Sequence, residues 1–549
     1  MSCASPRLIP VVHNLGCNLA GCYNYSGDQV FMRMIRIAVA LLFCLRITLL
    51  AQGLLPAEES LRRAANEIKL KNFHAAEQLL GEVLRKDPRS FVAHNLMGLM
   101  RLSEGHAAEA RRAFEQAARL NPGYAPAHVN LGNTLVILKQ EDAALQEFLT
   151  ASVLQPKDPL ALYNTGLIYG RQGKFELAVR YLNRAHALAP DDKGITSALA
   201  GARISSGMKQ EAEALISQMA NQGQLNSELR ESLAVLWLEN GEPARGVKLI
   251  KKEPERASQF FELGFQKAKT LFAEGTYTES ARILEAIRVL KSPGAEFHDL
   301  LGSAYYLLDD PTKSSDELQE AVRLEPMVPE HYFKLGMVFL KHRTVEPAIY
   351  VFENALKARP DVPKLWMGLG LSHYLASKLD QAEKALRQAI ALDPKYETAY
   401  IVLGDMLSQA GRVDEAVEIF RKAIDAQPDL YLPYYYYGQN SARQGIENNE
   451  TVIRMMQKAI MLNPSFAEAH YELGKALLQA GRMDDALAAL KKSLDLKPKL
   501  AQSHYQLGQL YQKLGNPALA SEHFRLFEAT SKQETPEDLI QRLDFQIEK

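Results

Sequence analysis

The chain has 549 residues, of which 47% are hydrophobic and 23% are charged, a balance that is typical of folded domains and excludes wholesale disorder. Its 64 Lys and Arg residues are matched by 65 Asp and Glu residues, so there is no general excess of positive charge for binding phosphates or an anionic membrane. All 4 cysteines lie within the first 44 residues, which excludes a disulfide framework, a cysteine nucleophile and a thiolate zinc site from the rest of the chain.

The N-terminal segment has the pattern of an export signal. Arg33 and Arg36 precede an apolar run, Ile37 to Leu45, and the small residue Ala51 follows after a few more apolar positions. A basic start, a short apolar core and a small exit residue predict a secretory signal peptide that is cleaved after Ala51. We therefore assign residues 1–51 to an upstream extension plus signal peptide, and expect a periplasmic or secreted bacterial protein.

An N-terminal membrane anchor is the alternative interpretation of the same segment. Arg46 interrupts the apolar residues and would cost about 2.5–3.5 kcal/mol at the centre of a bilayer, which favours cleavage over anchoring. A signal peptide normally begins at the initiator methionine, so we expect the true start at Met32 or Met34.

A period of 34 residues organises the remaining chain. Prolines recur at this spacing in two blocks, and the gap of 136 residues between the blocks is four periods. One step of 36 residues indicates a two-residue insertion in one period. The period is carried by Pro88, Pro122, Pro156, Pro190, Pro326, Pro360, Pro394, Pro428, Pro464 and Pro498.

Small residues keep the same period and predict helical hairpins. A glycine lies 24 residues before most of these prolines and an alanine 12 residues after that glycine, as Gly98 and Ala110 do. Two helices can pack closely only where their crossing point carries almost no side chain. A second glycine, such as Gly105, ends the first helix, and the proline cannot continue the second. Each period therefore predicts two helices joined by a short turn.

Two of the periodic segments, NPGYAPAHVNLGNTL and DPKYETAYIVLGDMLSQAGRVDEAVEIFRKAI, resemble tetratricopeptide repeats. The resemblance implies an all-α fold, a right-handed superhelical α-solenoid of fourteen helix-turn-helix repeats running from 57 to 534. Repeats 1–4 take residues 57–192, repeats 5–7 take 193–294, and repeats 8–14 take 295–534. We expect nearly all of residues 57–547 to be helical.

Repeats 5–7 depart from the pattern and are predicted to be degenerate. Ala234 and Ala268 replace the crossing glycine of repeats 6 and 7, and the turn prolines of this stretch are missing. The sixth repeat matches least well, and we interpret it as a bend between two superhelical halves.

A short amphipathic segment follows the last repeat. Pro536 is suited to a first helical turn, and Leu539, Leu543 and Ile547 fall on one helical face. A solenoid needs a terminal element to cover its last apolar interface, so residues 535–549 are predicted to form a C-terminal capping helix.

The sequence contains no catalytic motif. HExxH, GxSxG, GK[ST] and GxGxxG are all absent, so we expect no enzyme activity, no cofactor and no metal site. Histidines recur at the fourth position of the repeat, as at His128 and His504, and share it with Trp366 and Tyr400. We interpret this position as an aromatic packing site and not as a set of metal ligands.

The resemblance also implies where partners bind. Tetratricopeptide repeats line a concave groove with positions 2, 5, 6, 9 and 12 of their first helices, and exposed tyrosines there are predicted to form a stripe that holds an extended peptide. Gly194 and Ala198 stand where a clamp for chaperone C-termini would place basic residues, which excludes that ligand. The candidate partner-binding residues are Asn130, Asn133, Tyr163, Asn164, Phe333, Tyr435, Tyr436, Tyr471 and Tyr505.

Three functions compete at this point. The first is an exported scaffold that binds a protein or peptide segment, with a cytosolic scaffold as the variant without export. The second is an RNA-binding helical repeat, which the balanced charge disfavours because such a protein needs a basic groove. The third is an enzyme assembled from scattered residues, which the lack of any motif disfavours. We predict protein partners, no nucleic acid, and no membrane contact apart from the export signal or anchor.

Overall fold

The computed structural model describes residues 55–445 and 447–531. The signal peptide predicted within 1–51 and the cap predicted at 535–549 lie outside these residues. Within them the chain forms helices and no strand, two helices in each of fourteen repeats, so the predicted all-α solenoid of helical hairpins is confirmed.

The first helices of the repeats carry odd numbers here. In repeats 2–6 and 8–14 the first helix begins at the residue that the 34-residue period predicts. The first helices of all fourteen repeats are α1 (Leu55–Lys69), α3 (Phe91–Ser103), α5 (Ala125–Ile137), α7 (Pro159–Arg171), α9 (Lys193–Ser205), α11 (Ser227–Glu239), α13 (Pro254–Ala273), α15 (Ala295–Leu307), α17 (Pro329–Lys341), α19 (Pro363–Leu375), α21 (Glu397–Gln409), α23 (Tyr431–Gln444), α25 (Ala467–Gln479) and α27 (Ala501–Lys513).

The second helices carry even numbers and pack against the first helix of the same repeat. They are α2 (Phe73–Lys86), α4 (Ala107–Leu120), α6 (Glu141–Leu154), α8 (Phe175–Leu188), α10 (Lys209–Asn221), α12 (Pro243–Ile250), α14 (Tyr277–Ile287), α16 (Pro311–Leu324), α18 (Val345–Ala358), α20 (Leu379–Leu392), α22 (Val413–Ala426), α24 (Asn449–Leu462), α26 (Met483–Leu496) and α28 (Pro517–Ser531).

The degenerate stretch differs from the other repeats in its helix lengths. Helix α12 has only 8 residues, and α13 has 20 because it begins at Pro254, ahead of the predicted repeat start at Phe261. The described chain also divides into two compact parts here, the first ending at Gly264 and including Glu285–Lys291, the second comprising Phe265–Leu284 and the residues from Ser292 onward.

The crossing glycines have the role that the sequence predicts for them. In repeat 3, a Cβ on Gly132 would lie 2.6 Å from the ring of Phe148, which is fully buried. In repeat 4, a Cβ on Gly166 would lie 2.6 Å from Leu182 in the same way. The large side chain of the second helix therefore occupies the space that the missing Cβ leaves, and this contact recurs along the solenoid.

The turn between the two helices of a repeat needs one residue in the left-handed conformation. The predicted turn glycines supply it, for example Gly105 with φ of 87° and Gly411 with φ of 79°. Five repeats place a side chain at this strained position instead, which L-residues rarely adopt. These are Lys71, Lys139, Asp309, Arg343 and Ser377, with φ between 58° and 62°.

The side chain at the fourth position of the repeat forms a hydrogen bond to the turn that precedes it. The Nε1–H of Trp366 donates to the carbonyl oxygen of Pro360 at 2.8 Å, and the hydroxyl of Tyr400 donates to that of Pro394 at 3.1 Å. The proline carbonyl would otherwise lack a helical partner. A ring with a polar tip therefore serves better here than phenylalanine, which explains why histidine, tyrosine and tryptophan share the position.

Candidate partner-binding face

The candidate site is the surface made by positions 2, 5, 6, 9 and 12 of the first helices, called here the first-helix face. Within each compact part, neighbouring first helices contact one another. Position 5 meets position 6 of the next repeat: Nδ2 of Asn130 donates to Oδ1 of Asn95 at 2.9 Å. Position 9 meets position 6 of the next repeat: Nδ2 of Asn164 donates to Oδ1 of Asn133 at 3.1 Å.

These amide pairs change the interpretation of the predicted asparagines. Asn130 and Asn164 are buried, so their side chains join neighbouring repeats and present little surface to a partner. Asn133 and Tyr163 are half-buried and keep part of their side chains accessible. Of the four candidates in this region, the two half-buried ones are the better contact residues.

Charged side chains replace the asparagines at the same positions in repeats 8 and 9. Nζ of Lys334 lies 2.5 Å from Oδ2 of Asp299 and 3.2 Å from the hydroxyl of Ser303. Nδ1 of His331 lies 2.8 Å from the other oxygen of Asp299. Lys334 and His331 are both buried, so this group is a packed ionic cluster and not a free charged surface. This ionic cluster was not predicted from the sequence.

The cluster shifts the pKa values of its acidic and imidazole groups. Burial opposes ionisation of Asp299, but the hydrogen bond from His331 and the charge of Lys334 outweigh it and lower the pKa of the carboxyl group. Burial likewise disfavours the charged form of His331, but its hydrogen bond to Asp299 raises the pKa of the imidazole. Both shifts favour the ionised pair.

The stripe of exposed tyrosines is predicted from Tyr435, Tyr436, Tyr471 and Tyr505, and the prediction of exposure is wrong at two of these four positions. Tyr435 and Tyr436 are only 8% and 7% exposed. The ring of Tyr436 stacks on Phe420 with centroids 5.4 Å apart, and the ring of Tyr435 meets Phe466 edge-on at 4.9 Å. Aromatic neighbours in the preceding repeat and in the following turn therefore cover these two rings and place them in the core.

The other two tyrosines of the stripe keep accessible surface. Tyr471 is half-buried, and burial raises the pKa of its hydroxyl to about 12. Tyr505 is 39% exposed, and its ring lies 5.2 Å from that of Phe527 on α28. These two residues stand at the same position of consecutive repeats and remain candidates for partner contact.

A cavity lies beside these tyrosines on the first-helix face of repeats 13 and 14, with a volume of about 260 Å³. Nζ of Lys475 lies 3.0 Å from Oε2 of Glu472 and 6.0 Å from the centre of the Tyr471 ring. Amide groups supply most of the polar lining. The cavity is lined by Lys475, Leu478, Gln479, Gln506, Gln509, Leu510 and Lys513.

Phe333 is the predicted contact residue of repeat 9. Its ring is half-buried, 6.3 Å from the ring of Phe352. Nζ of Lys364 lies 5.3 Å from its centre and is ion-paired with Glu330. The ring thus contacts the aromatic core on one side and carries a cation over its face, and it remains partly accessible.

The described residues hold no group of three or more His, Cys, Asp or Glu side chains that could bind a metal ion. In the same part of the chain, no helix is both long enough and apolar enough to span a membrane.

The molecule is thus a solenoid of stacked helical hairpins with a partly accessible aromatic and amide surface on its first helices. Models of the tetratricopeptide repeat match it at residues 61–125, 140–193, 300–363, 333–397 and 367–431, and a second such model matches at 101–163 and 171–236. A model described as a TPR repeat matches at 474–515. The chain belongs to the tetratricopeptide repeat family.

Curated proteins share part of this sequence. The chain is 30% identical over 129 residues to the human cell division cycle protein 16 homolog, covering 23% of this chain and 20% of that protein. It is 32% identical over 85 residues to anaphase-promoting complex subunit 6 of Arabidopsis thaliana, 16% of each. It is 27% identical over 154 residues to the mouse protein O-mannosyl-transferase TMTC1, covering 27% of this chain and 16% of that protein. The chain therefore spans a fifth or less of these relatives.

Solved structures are similar over more of the chain. One chain in the crystal structure of the Cut9–Hcn1 hetero-tetramer aligns with 92% of this chain over 98% of its own length, at 17% identity and with a TM-score of 0.36. Yeast Tom70 covers 77% of this chain and 94% of its own at 18% identity, with a TM-score of 0.39. At these identities the likeness concerns the repeat fold alone.

Proposed function

We propose that this protein is an exported scaffold that holds a segment of another protein against its first-helix face. Membership of the tetratricopeptide repeat family supports protein binding as the general role. The observation that carries the proposal is accessible aromatic surface at position 5 of four first helices, where Tyr163, Phe333, Tyr471 and Tyr505 are not fully buried. Aromatic side chains of this kind dominate the energetics of protein interfaces.

The polar environment of these rings favours a peptide over nucleic acid. The lysines nearest to Phe333 and Tyr471, Lys364 and Lys475, are each ion-paired with a glutamate. Cations that are already paired are poorly placed to release counterions from a phosphate backbone, which is the main source of affinity for nucleic acid. An extended protein segment needs only apolar contact and amide hydrogen bonds, which Tyr471 and the glutamines around it supply.

The binding experiment compares a tyrosine on a first helix with a tyrosine on a second helix. Tagged protein captures partners from an extract of its own source organism, and mass spectrometry identifies them. Tyr471→Ala should lower the recovery of a direct partner, because a central aromatic contact contributes more than about 1 kcal/mol. Tyr350→Ala is the control, since Tyr350 is 67% exposed on the second helix α18. Equal recovery by wild type and both variants would contradict binding at the first-helix face.

Export is the part of the proposal that rests on sequence alone. Arg33, Arg36 and the apolar run to Leu45 support it. Expressed in a Gram-negative host, the protein should be recovered outside the cytoplasm with Gln52 as its first residue. Recovery of intact protein from the cytoplasm would favour a cytosolic scaffold, and would leave the binding experiment above valid.

A further inference from the structure

The fourth position of three repeats is a histidine that faces a titratable side chain nineteen residues later in the same repeat. In repeat 3, Nε2 of His128 lies 3.1 Å from the carbonyl oxygen of Pro122, and its Nδ1 lies 2.6 Å from Oε2 of Glu147. In repeat 8, Nδ1 of His298 lies 2.7 Å from Oε2 of Glu317. A histidine of the first helix and a carboxylate of the second helix therefore pair in both repeats.

Repeat 14 replaces that carboxylate with a second histidine. Nε2 of His504 lies 3.1 Å from the carbonyl oxygen of Pro498, as in repeat 3. Its Nδ1 lies 3.0 Å from Nδ1 of His523 on α28. The two pairs thus share one geometry and differ in whether the partner is an acid or a base.

The hydrogen-bond partners of each ring nitrogen determine how many protons the histidines of repeats 3 and 14 can carry. A carbonyl oxygen only accepts, so Nε2 of the fourth-position histidine carries a proton in both repeats. In repeat 3 the Nδ1 atom also faces an acceptor, so a second proton on His128 completes a charge-assisted hydrogen bond to Glu147. In repeat 14 the two Nδ1 atoms can share only one proton. Nε2 of His523 can take a proton without breaking this hydrogen bond, but full protonation of both rings puts a second proton between the two Nδ1 atoms and sets two N–H groups against each other.

We infer that acidification loosens the last hairpin, Ala501–Ser531, while it strengthens the hairpin of repeat 3. The same two positions of the repeat hold a histidine and a carboxylate in repeat 3 but two histidines in repeat 14. The loosening affects the region that carries Tyr505 and one side of the lysine- and glutamine-lined cavity.

The groups around the histidine pair favour this direction. Lys491 of α26 adds positive charge near His523, whereas Glu522 on α28 acts in the opposite sense. Tyr511 of α27 stacks on the His523 ring with centroids 5.5 Å apart and limits its access to water. Burial first, and then the charge of His504, lower the pKa of His523. The hydrogen bond to Glu147 raises the pKa of His128.

The test is hydrogen exchange of the full-length protein in deuterated buffer, followed by mass spectrometry of peptides. Rates are corrected for the intrinsic pH dependence of exchange. Between about pH 7.5 and about pH 5.5, the range in which histidine titrates, protection of 501–531 should fall several-fold relative to 125–154. The limit is about tenfold for each unit by which the pKa differs between folded and unfolded chains.

Two variants separate the histidine pair from general acid effects. His523→Gln keeps an amide that can donate to or accept from His504, so the pH dependence of protection in 501–531 should disappear. His523→Glu installs the carboxylate of repeats 3 and 8, so protection in 501–531 should rise on acidification. A wild-type ratio that does not change with pH would overturn the inference, as would a His523→Gln variant that loses protection as the wild type does.

Discussion

Gly246 on α12 packs directly against the backbone of Ala234 on α11. A Cβ on Gly246 would lie 2.7 Å from the carbonyl oxygen of Ala234 and 2.8 Å from the ring of Phe260. In the regular repeats the glycine is on the first helix and the alanine on the second. Repeat 6 has the alanine on its first helix and the glycine on its second. The two helices therefore still cross closely, although the usual order of glycine and alanine in the sequence is reversed.

Gly246→Ala should therefore destabilise repeat 6 although the residue is alanine at this position in most repeats. The new methyl group meets a backbone oxygen that cannot move aside, and overpacking of this kind costs about 1–3 kcal/mol. Hydrogen exchange in 227–250 provides the measurement, and Gly81→Ala, where an added Cβ meets nothing within 4 Å, is the control. Unchanged protection of 227–250 in Gly246→Ala would contradict the close contact between Gly246 and the backbone of Ala234.

The sequence predicted the hairpins because prolines and small residues act locally. A proline ends the second helix and a glycine permits the crossing wherever they occur, so helix starts such as Ala125 and Glu397 follow from spacing alone. The period could not predict the short α12 or the early start of α13. Pro243 and Pro254 lie outside the register, and each opens a helix at its own position.

Five repeats carry a side chain at the left-handed turn position, and replacing it with glycine should stabilise the protein. At Ser377, with φ of 58°, the left-handed conformation costs an L-residue roughly 1–2 kcal/mol. Ser377→Gly relieves this strain but adds flexibility to the unfolded chain, so we expect a net gain of up to about 1 kcal/mol. Gly411→Ala at the same position of the next repeat should destabilise. Melting temperatures that move in the opposite directions would exclude this explanation of the turn.

Stability should separate the buried tyrosines of the first-helix face from the accessible ones. Tyr436→Ala removes a ring that stacks on Phe420 and should cost about 3–5 kcal/mol. Tyr505→Ala removes a ring that is 39% exposed and should cost less than about 1 kcal/mol. Hydrogen exchange in 431–443 for Tyr436→Ala and in 501–513 for Tyr505→Ala provides the comparison, because repeat proteins do not unfold in one step. Equal costs would mean that the two rings are packed alike.

The candidate site was harder to predict than the fold because its residues meet across repeats. Tyr436 fits a groove position by count, but its burial is decided by Phe420 in the preceding repeat. Asp299 and Lys334 are 35 residues apart, as are Asn95 and Asn130. A search for complementary side chains 35 or 31 residues apart would have found these pairs, since both separations join neighbouring first helices.

The ionic cluster of repeats 8 and 9 should make stability depend on pH through Asp299. Its pKa is lowered in the folded protein, so Asp299 contributes stability above the pKa of an unfolded aspartate, about 3.9, and loses it as pH falls through the folded value. Asp299→Asn leaves Lys334 buried without its carboxylate, a change that typically costs about 3–5 kcal/mol near neutral pH.

The difference between wild type and Asp299→Asn should therefore begin to shrink below about pH 3.9, because the unfolded wild-type chain binds a proton at Asp299 before the folded chain does. Repeat proteins do not unfold in one step, so the measurement is hydrogen exchange in 295–341 at about pH 7 and about pH 3.5. Asp414→Asn, at an exposed position on α22, is the control and should change stability by less than about 0.5 kcal/mol at neutral pH. If the cost of Asp299→Asn stayed the same at both pH values, the carboxylate would not be the group that holds Lys334 in place.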